Sequence, residues 1–367
     1  MKLRLALALT LGLAAGCDAV AGTGDRAVTG DRAVTGDRAV TGDGAVRCAA
    51  GSIRARGSSA QANAVNAWIK DYQINCSGAT VEYDSSGSGA GVRAFIAGTA
   101  DFAGTDSPLS AADQAAADDR CGTGPAVHLP AVVGPIALAY NVVGVGGLRL
   151  APATVAKVFA GAVTTWDDPA IAADNPGAVL PSTAIRTVHR GDGSGTTANF
   201  TAFLAATAGG DWTYGADGAW PAPGGAAQRG SNGVATAVAR TDGAIGYVEA
   251  SYARFHSLST ALVGNGAGEF VAPADDAAAR TVAGAEVLGR GRDLRLAVDH
   301  GTAAAGAYPI VQVTYEVVCE AGAKELARSF LGYAVSPAGQ ARAARAGYTP
   351  LPEELRRKVS AAVSSLR

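Results

Sequence analysis

Arg190-Gly191-Asp192-Gly193-Ser194-Gly195-Thr196 places one guanidinium, one carboxylate, two hydroxyls and three glycines within seven residues. Phe200, Phe203 and Leu204 follow at i, i+3 and i+4, the spacing of a helix with one buried face. A Gly-Ser-Gly-Thr turn at a helix start aims unpaired backbone N–H groups outward, where the helix dipole also favours negative charge. Glycine lets the backbone approach a ligand closely, the hydroxyls add donors, and an arginine grips two oxygens at once. These parts make an oxyanion cradle. Taken alone, they also fit a glycine-rich turn with a Ser or Thr N-cap.

Other segments supply similar groups. Thr80-Val81-Glu82-Tyr83 reads as a short strand running into Ser85-Ser86-Gly87-Ser88-Gly89-Ala90-Gly91, which opens a helix through Val92, Phe95 and Ile96. Gly57-Ser58-Ser59-Ala60 precedes a helix whose stripe of Val65, Trp68, Ile69 and Tyr72 is core packing. In Thr99 to Pro108, Asp106 reads by itself as the cap of a helix starting near Pro108.

The elements around these loops alternate. Ala153 to Phe159 is helical, Thr165-Trp166-Asp167-Asp168-Pro169 is a turn with capping residues, and Ile185 to His189 is a strand feeding the Arg190 loop. Asn232-Gly233-Val234-Ala235 starts a helix, Gly243 to Val248 is a buried strand, and Val313 to Val318 is another. Two or three helices finish the chain, after Ser336-Pro337 and Leu351-Pro352 among others. Leu129 to Gly147 is apolar enough to raise a membrane span, but Pro130, Pro135, Asn141 and its glycines argue for buried strands. Strands alternating with helices predict an α/β architecture with mostly parallel sheets.

At 367 residues, 48% of them hydrophobic, the chain can bury a sizeable core and divide into two domains. The net charge of −2 offers no bulk attraction for nucleic acid or an anionic membrane, so any anion has to be held locally. Lys2 and Arg4, then the apolar Leu5 to Leu13, then Leu13-Ala14-Ala15-Gly16-Cys17 read as an export signal ending in a bacterial lipobox. Diacylation of Cys17 would anchor the protein; ordinary secretion with a chance cysteine is the alternative. Thr23 to Val46 repeats Thr-Gly-Asp-Arg-Ala-Val three times and then Thr-Gly-Asp-Gly-Ala-Val. So little apolar surface cannot offset ordering entropy, and the segment reads as a flexible tether rather than a solenoid. Cys48, Cys76, Cys121 and Cys319 make an even set in an exported chain, which suggests two disulfides with three connectivities open. No spacing among them suggests a metal site.

Taken together and in order, Ser86 to Gly91, Ala100 to Leu109, Thr165 to Pro169, Arg190 to Thr196 and Gly243 to Glu249 resemble the substrate-binding protein family of the phosphate-specific (Pst) ABC transporter. The resemblance runs from about Gly57 to the C-terminal helices. It implies a type II periplasmic-binding-protein fold: two α/β domains, a central cleft and a two-stranded hinge, closing over one dehydrated phosphate. On this chain the implied division is 1–16 signal peptide, 17–46 tether, 47–132 and 308–367 domain I, and 133–307 domain II. Matched residue by residue, the implied phosphate ligands are Ser59, Ala60, Ser88 and Asp106 on the first side and Arg190, Ser194, Gly195 and Thr196 on the second. Ala60 departs from the family's usual phenylalanine and offers only its N–H. Asp192 matches the carboxylate that pairs with the arginine. Proximity in the implied fold favours Cys48–Cys76 and Cys121–Cys319.

The residue chemistry agrees with a protonated oxyanion. Phosphate near neutral pH carries a P–OH that Asp106 can accept, whereas sulfate has no such proton and meets an unpaired carboxylate. The implied partners are phosphate and the permease of an ABC transporter, with the membrane touched only through the lipid anchor. The resemblance further implies a monomer with no cofactor, no nucleic acid and no catalysis. Another oxyanion, such as sulfate or molybdate, is one alternative, and a lipoprotein that senses phosphate without delivering it is another. The last is a secreted hydrolase using Ser194. Against it, Asp192 rather than glycine lies two residues before Ser194, so there is no Gly-x-Ser-x-Gly elbow. His128, His189, His256 and His300 fall in no triad order, and His189 should point away from Arg190 across the strand.

Overall fold

In Val311–Cys319 every residue is buried, and in Ala126–Asn141 every residue but the last. Runs without an exposed face can only lie in the middle of a sheet covered on both sides. The computed structural model, which describes residues 46–367, places them there. The signal region, Cys17 and the hexapeptide repeats up to residue 45 lie outside the described residues.

Among the described residues the main sheet has nine strands. Eight follow the order Ala79–Asp84, Gly51–Gly57, Phe102–Thr105, Val311–Cys319, Ala126–Asn141, Ala244–Glu249, Arg186–Arg190 and Ala226–Gln228, with Ser259–Thr260 paired beside Ala126–Asn141. Residues 126–135 pair with Val311–Cys319, and residues 136–141 pair with Ala244–Glu249, so one continuous strand belongs to both halves of the sheet. The apolar stretch that raised a membrane span is this strand. Among the described residues no helix is long and apolar enough to cross a membrane.

The expectation of a mostly parallel sheet needs correction. Pairing is parallel on both flanks, where strand–helix–strand units lie, but antiparallel throughout the centre. Ala126–Asn141 crosses between the halves, and both it and Val311–Cys319 run against the direction of their neighbours, which strand–helix alternation cannot reveal.

Helices cover both faces. Ala62–Asn75 buries Val65, Trp68 and Tyr72, and the Trp68 indole donates to the Gly339 carbonyl at 2.7 Å, seating the C-terminal helix Pro337–Arg345. Glu325–Ala334 and Glu353–Ser364 complete the three terminal helices. In the other half, Phe200 of helix Gly195–Thr207 packs on Phe159 at 4.8 Å and on Tyr247 at 4.5 Å between ring centroids. The helix expected near Pro108 instead spans Ala111–Cys121, because Ser110 caps it by accepting from the Asp113 N–H at 3.1 Å. Asp106 is therefore no cap. The helix expected from Asn232 begins two residues earlier, at Gly230. Disulfides join Cys48 to Cys76 and Cys121 to Cys319.

Candidate functional site

Strand Arg186–Arg190 delivers alternate side chains to opposite faces. His189 stacks on Trp220, 5.0 Å between centroids and 15° between planes, with its Nδ1 beside the Arg190 carbonyl. Arg190 goes the other way, only 2% exposed, and forms a two-pronged pair with Asp192: Nε to Oδ1 at 2.7 Å and Nη2 to Oδ2 at 2.5 Å. Asp192 also accepts from the Gly230 N–H at 3.0 Å, at the start of helix Gly230–Arg240. Burial pushes the Asp192 carboxyl up, but its bonds to Arg190 outweigh this and hold it below the ordinary value. Behind them the Tyr247 hydroxyl accepts from the Arg190 N–H at 3.1 Å and pairs with the Thr197 hydroxyl at 2.8 Å, joining strand to helix.

Ser194 is the N-cap of helix Gly195–Thr207, its Oγ accepting from the Thr197 N–H at 3.1 Å. The cap and the cradle thus use the same residues. Gly195 N–H, one of the donors that a helix leaves free at its start, crosses to Ser88 Oγ at 3.2 Å. Ser88 begins helix Ser88–Ile96 on the opposite half and donates to Asp106 Oδ2 at 3.3 Å. Thr196 reaches the same Oδ2 at 3.4 Å, and Asn199 donates to the Asp106 carbonyl at 2.6 Å. Two glycines make this approach possible. A Cβ on Gly195 would sit 2.7 Å from Asp106 Cβ and 2.8 Å from its backbone, and one on Gly87, where φ is +101°, would sit 2.3 Å from Asp192 Oδ2.

Asp106 is the hub. It is 2% exposed, and its Oδ1 accepts from Ser58 Oγ at 2.6 Å and Thr314 Oγ1 at 2.7 Å. Burial raises its carboxyl above the ordinary value, while the bonds from Ser58 and Thr314, the Arg190 charge and Ser88 pull it down.

The structure therefore brings Ser88, Asp106, Gly195 and Thr196 into one hydrogen-bonded cluster, with Arg190, Asp192 and Ser194 in the loop that carries Gly195 and Thr196. Ser59 and Ala60 do not touch Asp106 themselves, and Ala60 joins the cluster through the Ser58 hydroxyl. Ser59 Oγ accepts from the Ser231 N–H at 3.0 Å, and the Ala60 N–H donates to Ser58 Oγ at 3.0 Å. Sequence reasoning gave no role to Ser58, Asn199, Ser231 or Thr314. Ser58 could have been suspected from its place beside Ser59; nothing local marks Thr314. Donors surrounding one buried carboxylate, with a guanidinium nearby, suit an anion that brings its own proton. The Ser194 oxygen is engaged as a cap and His189 is packed on Trp220, so these two do not form a nucleophile–base pair.

The chain is similar to several known proteins. The PBP superfamily domain matches residues 43–338. "Phosphate-binding protein PstS 3" of Mycobacterium leprae is 39% identical over 322 residues, covering 86% of this chain and 87% of the relative. "Phosphate-binding protein PstS 2" of Mycobacterium tuberculosis is 39% identical over 325 residues, with 86% and 87% covered. Among solved structures, the high-affinity periplasmic phosphate-binding protein PfluDING, bound with phosphate, superposes with a TM-score of 0.68 at 23% identity, covering 85% of this chain and 93% of that one. That likeness shows the fold, a mixed α/β PBP-like domain, and the sequence identity shows the lineage: the chain belongs to the PBP superfamily and, within it, to the PstS family of phosphate-binding proteins.

Proposed function

We propose that this protein binds one inorganic phosphate between the two halves of its sheet and presents it to the permease of an ABC transporter. The observation that carries this function is the buried Asp106 carboxylate, which accepts from Ser88 on its own side and from the Thr196 hydroxyl of the other half, with the Gly195 N–H on Ser88 and the Arg190 guanidinium in the same loop as Thr196. Arg190 and the helix start at Gly195 would neutralise the anion, while Asp106 would accept its P–OH. Ser59, Ala60, Ser88, Ser194 and Thr196 would complete the ligand set, and Asp192 would hold the guanidinium flat. Residues 47–132 with 308–367 would move as one domain against 133–307, hinged where Ala126–Asn141 and the chain near Tyr308 cross. No bond is made or broken: binding energy shifts an open–closed equilibrium. Residues 1–16 would direct export, Cys17 would carry the lipid, and the repeats would let a monomer reach the permease.

Calorimetric titration of the purified, phosphate-stripped protein, first with phosphate and then with sulfate, tests this function. One-to-one phosphate binding with no sulfate response is expected. Sulfate binding in its place would keep the fold and overturn the ligand, and silence with both anions would overturn binding altogether. A second expectation concerns closure. Gly195→Ala puts a Cβ against Asp106, an overpacking of about 1–3 kcal/mol, so phosphate affinity should fall roughly ten- to a hundredfold with secondary structure unchanged. Unaltered affinity would mean that the halves need not approach this closely.

A further inference from the structure

The two oxygens of Asp106 are treated unequally. Oδ1 takes two short O–H donors, Ser58 at 2.6 Å and Thr314 at 2.7 Å, within the range of hydroxyls bound to an ionised oxygen. Oδ2 has only the longer contacts to Ser88 and Thr196, at 3.3 and 3.4 Å, both from groups assigned above to the phosphate.

Both donors on Oδ1 are set by their surroundings. The Ser58 oxygen already accepts from the Ala60 N–H at 3.0 Å and the Gln61 N–H at 3.4 Å, so its single proton is directed to Asp106. Thr314 comes from Val311–Cys319 at the point where its register with Ala126–Asn141 shifts: Thr314 lies opposite Val132 and Tyr315 opposite Pro130, leaving Ala131 as an extra residue. Bulges of this kind re-aim side chains, and Pro130, having no N–H, cannot extend the regular ladder. The Ala131 carbonyl is taken instead by the Gln340 amide at 2.8 Å. Ser58 and Thr314 are no more than 1% exposed, so water does not substitute for either.

We infer that Ser58 and Thr314 are positioning residues for anion selection: by saturating Oδ1 they leave Oδ2 as the one carboxylate oxygen presented to the ligand, ionised and in need of a donor. An anion that carries a proton satisfies Oδ2, and one that does not is repelled by it. The assignment rests on the phosphate-binding function proposed above. It also explains how a carboxyl raised by burial stays an acceptor, because hydrogen bonds to the charged form favour that form. The other ionisable groups around Asp106 do not replace these bonds. Arg190 contributes its charge from the second half but is shared with Asp192. Glu316, on the strand of Thr314, is pushed by burial to about 8 and is neutral in the acid range, and burial drives the Tyr83 and Tyr252 phenols up.

Phosphate and sulfate titrations across pH, on the full chain and on Ser58→Ala, Thr314→Val and the double variant, test this role. As pH falls, phosphate binding should be lost when Asp106 protonates. Removing either donor raises that carboxyl further, so the acid limb should move to higher pH, most in the double variant. Sulfate binding, silent while Asp106 is ionised, should appear where it protonates, hence at higher pH in the variants and roughly tenfold stronger at a given acid pH per hydroxyl removed, since a protonated Asp106 can donate. Ser58→Thr and Thr314→Ser, which keep the hydroxyl, should restore both behaviours. A loss of phosphate affinity equal at every pH, with sulfate still silent, would make the two hydroxyls merely structural and overturn the inference. A wild-type protein that binds no phosphate would overturn the binding function and this inference with it, whereas wild-type selectivity with unaltered variants overturns the inference alone.

Discussion

Arg190→Ala should weaken phosphate binding by roughly 10²–10³-fold, the largest loss expected from any single side chain in the cleft. The guanidinium is buried to 2% exposure and spends Nε and Nη2 on Asp192, so the pair already sits in a desolvated, fixed geometry before an anion arrives. Cutting the side chain removes the positive charge and also leaves the half-buried Asp192 carboxylate with backbone N–H partners, that of Gly230 among them, and no counter-charge. The lost attraction and the uncompensated carboxylate then act in the same direction, against an incoming anion. Arg190→Lys should recover only part of the affinity, because an ammonium keeps the charge but cannot reproduce the planar fork. Calorimetry on both variants, with thermal unfolding recorded in parallel, separates loss of the site from loss of the fold. Equal affinity in the alanine variant would place the anion elsewhere.

Asp106→Asn should have a smaller effect on phosphate and a larger one on selectivity. The amide can still take Ser58 and Thr314 on its oxygen, as Oδ1 does now, so the hub should keep its place. What changes is the group facing the ligand, from an acceptor to an N–H₂ donor. Phosphate loses one hydrogen bond to a charged acceptor, about 1.5–3 kcal/mol or roughly ten- to two-hundredfold in affinity. Sulfate loses a repulsion and gains a donor, so its binding should rise from undetected to measurable. Sites that demand a particular hydrogen bond reject the analogue lacking it by about 10⁴-fold, and this rejection is what the substitution removes. Equal losses for both anions would make Asp106 a structural group and leave sulfate exclusion without a cause.

Much of this site could be read before any fold was known. Arg190, Asp192, Ser194, Gly195 and Thr196 form a strand–loop–helix junction, and its logic is local: alternation along a strand sends Arg190 away from His189, and a helix start frees the N–H groups of the first turn. Ser88 belongs to a second junction of the same kind. The apolar stripe of Val65, Trp68 and Tyr72 likewise announces its buried face by spacing alone.

Tertiary structure decided how Asp106 works. Its local surroundings suggested a helix cap, yet its hydroxyl partners come from 48 residues away at Ser58 and 208 residues away at Thr314. Ser59 meets Ser231 across 172 residues, and Thr314 is aimed by a bulge created where Pro130 and Ala131 interrupt the facing strand. The mixed direction of the sheet arises in the same way, since both central strands pair with segments distant in the chain. Propensity, capping and periodicity act over a few residues and so leave a trace in the sequence that can be read directly. Contacts across the seam depend on which distant segments the sheet brings together, and the Asp106 carboxylate gains its full set of neighbours only because both halves supply them.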